Sequence, residues 1–103
     1  MYIMDLPKYN FIDKLKGLPF VEKIYLFGSR ARGDNMPRAD IDLAIFCPSA
    51  DSKQWVYEIG DIIDNADTLL PIDCVNFDNV SKEMQENILK DGVVLYDRRK
   101  DKI

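Results

Sequence analysis

Gly28-Ser29 cuts an apolar run, Val21 to Phe27, and the next apolar run opens on Asp40-Ile41-Asp42-Leu43. Both runs are rich in β-branched and aromatic residues, which reads as two strands. Successive side chains of a strand point to opposite faces. Asp40 and Asp42 therefore share one face, while Ile41, Leu43 and Ile45 share the other. The apolar face has to pack on helices. The acidic face has to meet solvent or a cation. A chain that folds this way has one covered sheet face and one face able to do chemistry.

The remaining segments supply the covering helices. Leu6 to Lys16 forms a first helix, ended by Gly17 and Pro19. Asp34 to Ala39 is a loop, Asp40 to Phe46 the second strand, and Pro48 closes it. Ser52 to Asn65 is a helix, and Trp55, Ile59, Ile62 and Ile63, with Ala66 just past its end, recur on one helical face. Pro71 to Phe77 is a third strand. Ser81 to Lys90 is a helix with Ser81 as N-cap and Gly92 at its end. Val93 to Tyr96 is a last short strand. The alternation gives an α/β (α+β) domain, a sheet with helices packed on it, and 103 residues make one domain, 1–103.

Composition narrows the chemistry. There is no histidine, which removes Ser-His-Asp and Cys-His catalysis and the commonest transition-metal ligand. Cys47 and Cys74 lie far apart without CxxC spacing, so they read as core residues and not as a disulfide or zinc site. A net charge of −4 argues against a broad nucleic-acid surface. The basic run Arg98-Arg99-Lys100 reads as a solvated tail. No segment is apolar for long enough to span a bilayer, and MYIMDLPKYN is not a secretory signal, so the expected location is the cytoplasm.

Two carboxylates as close as Asp40 and Asp42 repel unless a proton or cation intervenes. Mg²⁺ suits them, because it takes oxygen ligands and pairs one or two carboxylates with substrate phosphates. Asp73 stands inside the apolar run Ile72-Asp73-Cys74-Val75, where a charge is costly without a partner. Should its strand neighbour that of Asp42, three carboxylates converge, enough for two metals and an in-line displacement at phosphorus. Gly28 lets a phosphate approach the backbone, and Ser29 offers a hydroxyl. Arg30 and Arg32 can add charge-assisted hydrogen bonds, the one on the cleft side being favoured.

Gly28-Ser29, ten residues, Asp40-x-Asp42 and a later strand carboxylate, Asp73, together resemble the polymerase-β nucleotidyltransferase superfamily. FGSRARG…ADIDLAI in so short a chain resembles its minimal nucleotidyltransferase branch. Ala39 departs from the serine that often precedes the acidic pair. The resemblance implies a small mixed sheet with helices mainly on one side. It implies Mg²⁺ on Asp40, Asp42 and Asp73, and the triphosphate of ATP on Gly28 and Ser29. Many minimal members are antitoxins of HEPN-domain toxins, and active ones transfer AMP to a toxin tyrosine. Asp73, in the most apolar surroundings, is then the expected proton acceptor.

Two further readings stay open. One is an antitoxin that neutralises its toxin by contact alone, for which clustered carboxylates have no use. The other is transfer to a small molecule or an RNA end, against which stand the acidic balance and the absence of an acceptor-binding segment after the core. A protein acceptor calls for an apolar contact surface, with Phe11, Phe20, Trp55, Tyr57 and Tyr96 as candidates, and is compatible with homo- or hetero-oligomers.

Overall fold

The computed structural model of the chain describes residues 9–101. Helix α1 is Asn10–Lys16; the expected helix start at Leu6 lies outside the described residues. Strand β1 (Lys23–Phe27) is followed by a single helical turn, α2 (Ser29–Arg32), and by β2 (Ile41–Phe46). A π-helical segment, Gln54–Ile59, leads into α3 (Gly60–Asp64). Then come β3 (Ile72–Asn76), a 3₁₀ turn at Phe77–Asn79, α4 (Lys82–Asp91), β4 (Val93–Asp97) and a short α5 (Arg98–Asp101).

The four strands form one mixed sheet in the order β3-β2-β1-β4. β1 pairs antiparallel with both β2 and β4, and β2 pairs parallel with β3. The central strands are buried because both faces are covered in their middle. Ile24, Leu26, Ile41, Leu43 and Ile45 face the main core, where Phe11, Ile12 and Leu15 of α1 and Ile59 join them. Each such side chain contributes about 1.5–3 kcal/mol on burial. The opposite face carries a smaller cluster, in which Tyr25 and Ala44 meet Ile88 of α4. Phe77 stacks on Tyr25 at 5.5 Å and meets Phe46 edge-on at 6.0 Å. The helices thus lie mainly on one face. The second face is filled at one end by aromatic residues and left open at the other.

The regular helix expected over Ser52–Asn65 is replaced in its first half by the π segment. Its start is a capping box: Asp51 Oδ1 accepts from Gln54 N at 2.8 Å, and Gln54 Oε1 accepts from Asp51 N at 2.9 Å. The amide of Gly60 then reaches Trp55 O, five residues back, which widens the turn. In the basic run, Arg99 and Lys100 are exposed as expected of a solvated segment, but Arg98 is anchored. Arg98 N donates to Glu22 O at 2.8 Å and its guanidinium to Pro19 O, so α5 is tied to the chain entering β1. Both cysteines are free. No helix among the described residues is long and apolar enough to cross a membrane.

Candidate active site

The open end of the second face is where β1 finishes and β2 and β3 begin. Register decides what meets there. Phe27 stands opposite Asp42 across β1 and β2, and Asp42 stands opposite Asp73 across β2 and β3. Asp40 lies one residue before β2, two before Asp42. The three carboxylates singled out in the sequence therefore come to one sheet end, from two adjacent strands. Asp40 and Asp73 are exposed and Asp42 is half-buried.

Their mutual influence is visible at Asp42. Burial pushes its carboxyl above the ordinary value of 3.8, and the charges of Asp73 and then Asp40 push it further. Arg30 and Arg32 act in the opposite sense. Burial was expected to act at Asp73, as the acid in the most apolar run. Asp73, on the edge strand, is exposed, and the half-buried carboxyl is Asp42.

Among the described residues, no three His, Cys, Asp or Glu side chains are placed close enough together to hold a metal ion. The donor set fits Mg²⁺: carboxylate oxygens only, on neighbouring strands, with two of the three side chains free to turn toward a shared ion.

Gly28 completes the site. It has φ +75° and ψ −157°, a region that side-chain-bearing residues avoid. A Cβ there would collide with Asp42 Oδ2. The bare backbone at Gly28 is what lets the Asp42 carboxylate lie against the turn. Ser29 follows, half-buried, and Gly33 closes α2 with φ +84°. At four residues, α2 is too short for its dipole to hold an anion alone. An anion here depends on the Gly28 backbone, the Ser29 hydroxyl and a nearby cation.

The two arginines part company. Arg30 turns back onto the loop before β2: Nε and Nη2 donate to Ala39 O at 3.2 and 2.9 Å, and Nη2 also donates to Pro37 O at 3.1 Å. It braces the residue preceding Asp40. Arg32 is exposed, pairs with Asp34 at 3.2 Å, and borders a recess beside Gly28. The far wall of that recess is α4, with Asn87 and Asp91. No local motif marks these α4 residues, because tertiary packing alone brings them there. On the other side of the carboxylates, the free edge of β3 and the π segment enclose a groove lined by Trp55, Ile63, Cys74 and Asp73. Of the expected contact aromatics, Phe11 and Phe20 are core residues, Trp55 and Tyr96 are partly buried against the core, and Tyr57 is 71% exposed.

Residues 10–101 match the family model described as polymerase beta, nucleotidyltransferase. Among solved structures, the chain is similar to a toxin–antitoxin crystal structure with AMP-PNP, at 26% identity and TM-score 0.62, covering 89% of this chain and 75% of that one. A mutant MntA–HpeT toxin–antitoxin structure is similar at 25% identity and TM-score 0.64, covering 89% and 74%. A tri-AMPylated Shewanella oneidensis HEPN toxin in complex with MNT antitoxin is similar in fold, at 24% identity and TM-score 0.56, covering 89% and 71%. No curated protein sequence matches the chain. The mixed sheet, the glycine turn against Asp42 and a family match over nearly the whole length agree, and the chain belongs to the polymerase beta nucleotidyltransferase family.

Proposed function

We propose that this protein is an antitoxin that transfers AMP from ATP to a tyrosine hydroxyl of a HEPN-domain toxin, with Mg²⁺ held by Asp40, Asp42 and Asp73. The observation that carries the reading is the register that sets Asp42 opposite Asp73 with Gly28 packed on its carboxylate. Phosphate-binding and metal-binding groups then share one sheet end. The 26%-identical toxin–antitoxin structure with AMP-PNP supports both the nucleotide and the toxin partner. The tyrosine acceptor follows from the resemblance to the minimal nucleotidyltransferases.

Gly28 and Ser29 receive the phosphates through backbone and hydroxyl. Arg32 faces them from the same side, and Arg30 holds the loop that aims Asp40. The acceptor oxygen attacks the α-phosphorus, the bond from that phosphorus to the bridging oxygen breaks, and pyrophosphate leaves. Asp73, exposed on the edge strand where an acceptor arrives, takes the hydroxyl proton. Bound Mg²⁺ would spread the charge of the phosphate oxygens and lower the pKa of the attacking hydroxyl. The rest of the catalysis is positioning and fixed charge.

Intact mass tests the reading. A HEPN-domain toxin, sought first as the product of the neighbouring gene, is incubated with this protein, ATP and Mg²⁺, and both chains are weighed. The expected result is a partner heavier by whole AMP units, with no gain when Asp42→Asn is used. A partner of unchanged mass in a stable complex would replace transfer by neutralisation through contact.

A further inference from the structure

Resting on that reading, in which the Gly28-Ser29 turn receives the phosphates, we propose that Asn87 of α4, across the recess from that turn, is a further residue that binds the pyrophosphate end of the nucleotide. The recess opens on the same sheet face as the carboxylates: its floor is Phe27, the residue opposite Asp42, together with Ile88. One wall is Gly28 and Arg32, the other the α4 face carrying Asn87 and Asp91, four residues apart and so on one side of the helix.

A nucleotide whose α-phosphorus lies at Asp42 has two ends to place. The pyrophosphate end carries most of the negative charge. The recess offers it the cation of Arg32, an unhindered glycine backbone and the amide donors of Asn87. Asn87 is exposed on a helix, with a neutral side chain that donates without needing a counter-charge. Asp91 works the other way. Its carboxylate opposes bound phosphate from the same wall, which keeps the grip on the leaving group weak and favours its release. Arg32, paired with Asp34 at 3.2 Å, has to exchange that partner for the phosphate.

Calorimetric titration of the purified protein with Mg²⁺-pyrophosphate, Mg²⁺-ATP and Mg²⁺-AMP tests the assignment. Asn87→Ala is expected to weaken pyrophosphate and ATP by about tenfold, the size of a lost hydrogen bond to a charged group, and to leave AMP unchanged. Asn87→Asp should weaken them further, and Asp91→Asn should tighten pyrophosphate. Glu86→Ala, on the same helix outside the recess, should change none of the three. Alanine at an exposed helical position preserves the fold, which circular dichroism checks. Unchanged pyrophosphate affinity in Asn87→Ala overturns the proposal, and so does an equal loss for AMP, which would put the nucleoside in the recess. Weakened pyrophosphate binding in Asp91→Asn overturns it too. Wild-type protein that binds no Mg²⁺-ATP overturns the functional reading itself. Intact transfer with pyrophosphate affinity indifferent to Asn87 overturns only this inference.

Discussion

At the scale of single residues, the site is a place where folding and chemistry pull apart. Asp42 is pushed up by burial, by Asp73 and by Asp40, so the folded chain holds its proton more tightly than the unfolded chain does. The sign follows from linkage. Where the native state binds more protons, stability falls as pH rises. The penalty is absent below the ordinary value of 3.8, grows above it, and is complete once the pH exceeds the raised native value. Asp42→Asn removes the charge with little change of shape. It should therefore be more stable than wild type at pH 7, by less than about 1 kcal/mol because solvent screens a carboxyl that is only partly buried, and unfold at a correspondingly higher temperature. The gain should vanish near pH 3. Thermal unfolding of both proteins across pH checks this, and a variant less stable than wild type at pH 7 without metal would refute the account. A residue that lowers stability is what the proposed cation site would account for, since sites of function trade stability for activity.

Among the elements, α1 shows a dependence that local sequence does not contain. No side chain at its own N-terminus caps it. Asp67 does so from across the chain, accepting from Asn10 N at 2.9 Å and Phe11 N at 3.2 Å. Those bonds, the Asn10 amide first, hold the Asp67 carboxyl below its ordinary 3.8. Its contribution is thus present above that value and lost as pH falls through the lowered native one, the reverse of Asp42. Asp67→Ala should lower amide protection factors in the first turn of α1 more than elsewhere, and acid should do the same to wild type once exchange is referred to the intrinsic rate at each pH. Equal exchange in the two proteins at neutral pH would rule it out. The contrast shows what was readable. Strands β1, β2 and β3 follow from short β-branched runs, and the candidate carboxylate site from the two-residue spacing at the entry to β2 plus Asp73. The cap at Asp67, the brace from Arg30 to Ala39 and the α4 wall were not readable, because each joins residues that only folding brings together. The π turn escaped for another reason. One widened turn between Trp55 and Gly60 leaves Ile59, Ile62 and Ile63 on an apparently regular helical face.

Over the whole molecule, charge is arranged unequally along the sheet. One end is fastened: Arg98 reaches Pro19 and Glu22, and Lys23 meets Asp97 at 4.0 Å. The other gathers Asp40, Asp42 and Asp73 in a chain that already carries net charge −4. Mutual repulsion at that end is a free-energy cost that a divalent cation bound there would relieve. Binding to the native state alone stabilises by RT ln(1 + [L]/Kd), about 1.4 kcal/mol at ten times Kd. For a domain of this size, that corresponds to a rise in Tm on the order of 5–10 °C. Magnesium chloride should produce this rise in wild type, while sodium chloride at matched ionic strength should give only the smaller effect of screening. Asp42→Asn should begin higher and respond less, so that the two melting curves converge as Mg²⁺ is added. Convergence ties the destabilising carboxyl and the cation to one site. A parallel rise in both proteins would place the cation elsewhere on the acidic surface and leave the cluster without its proposed ligand.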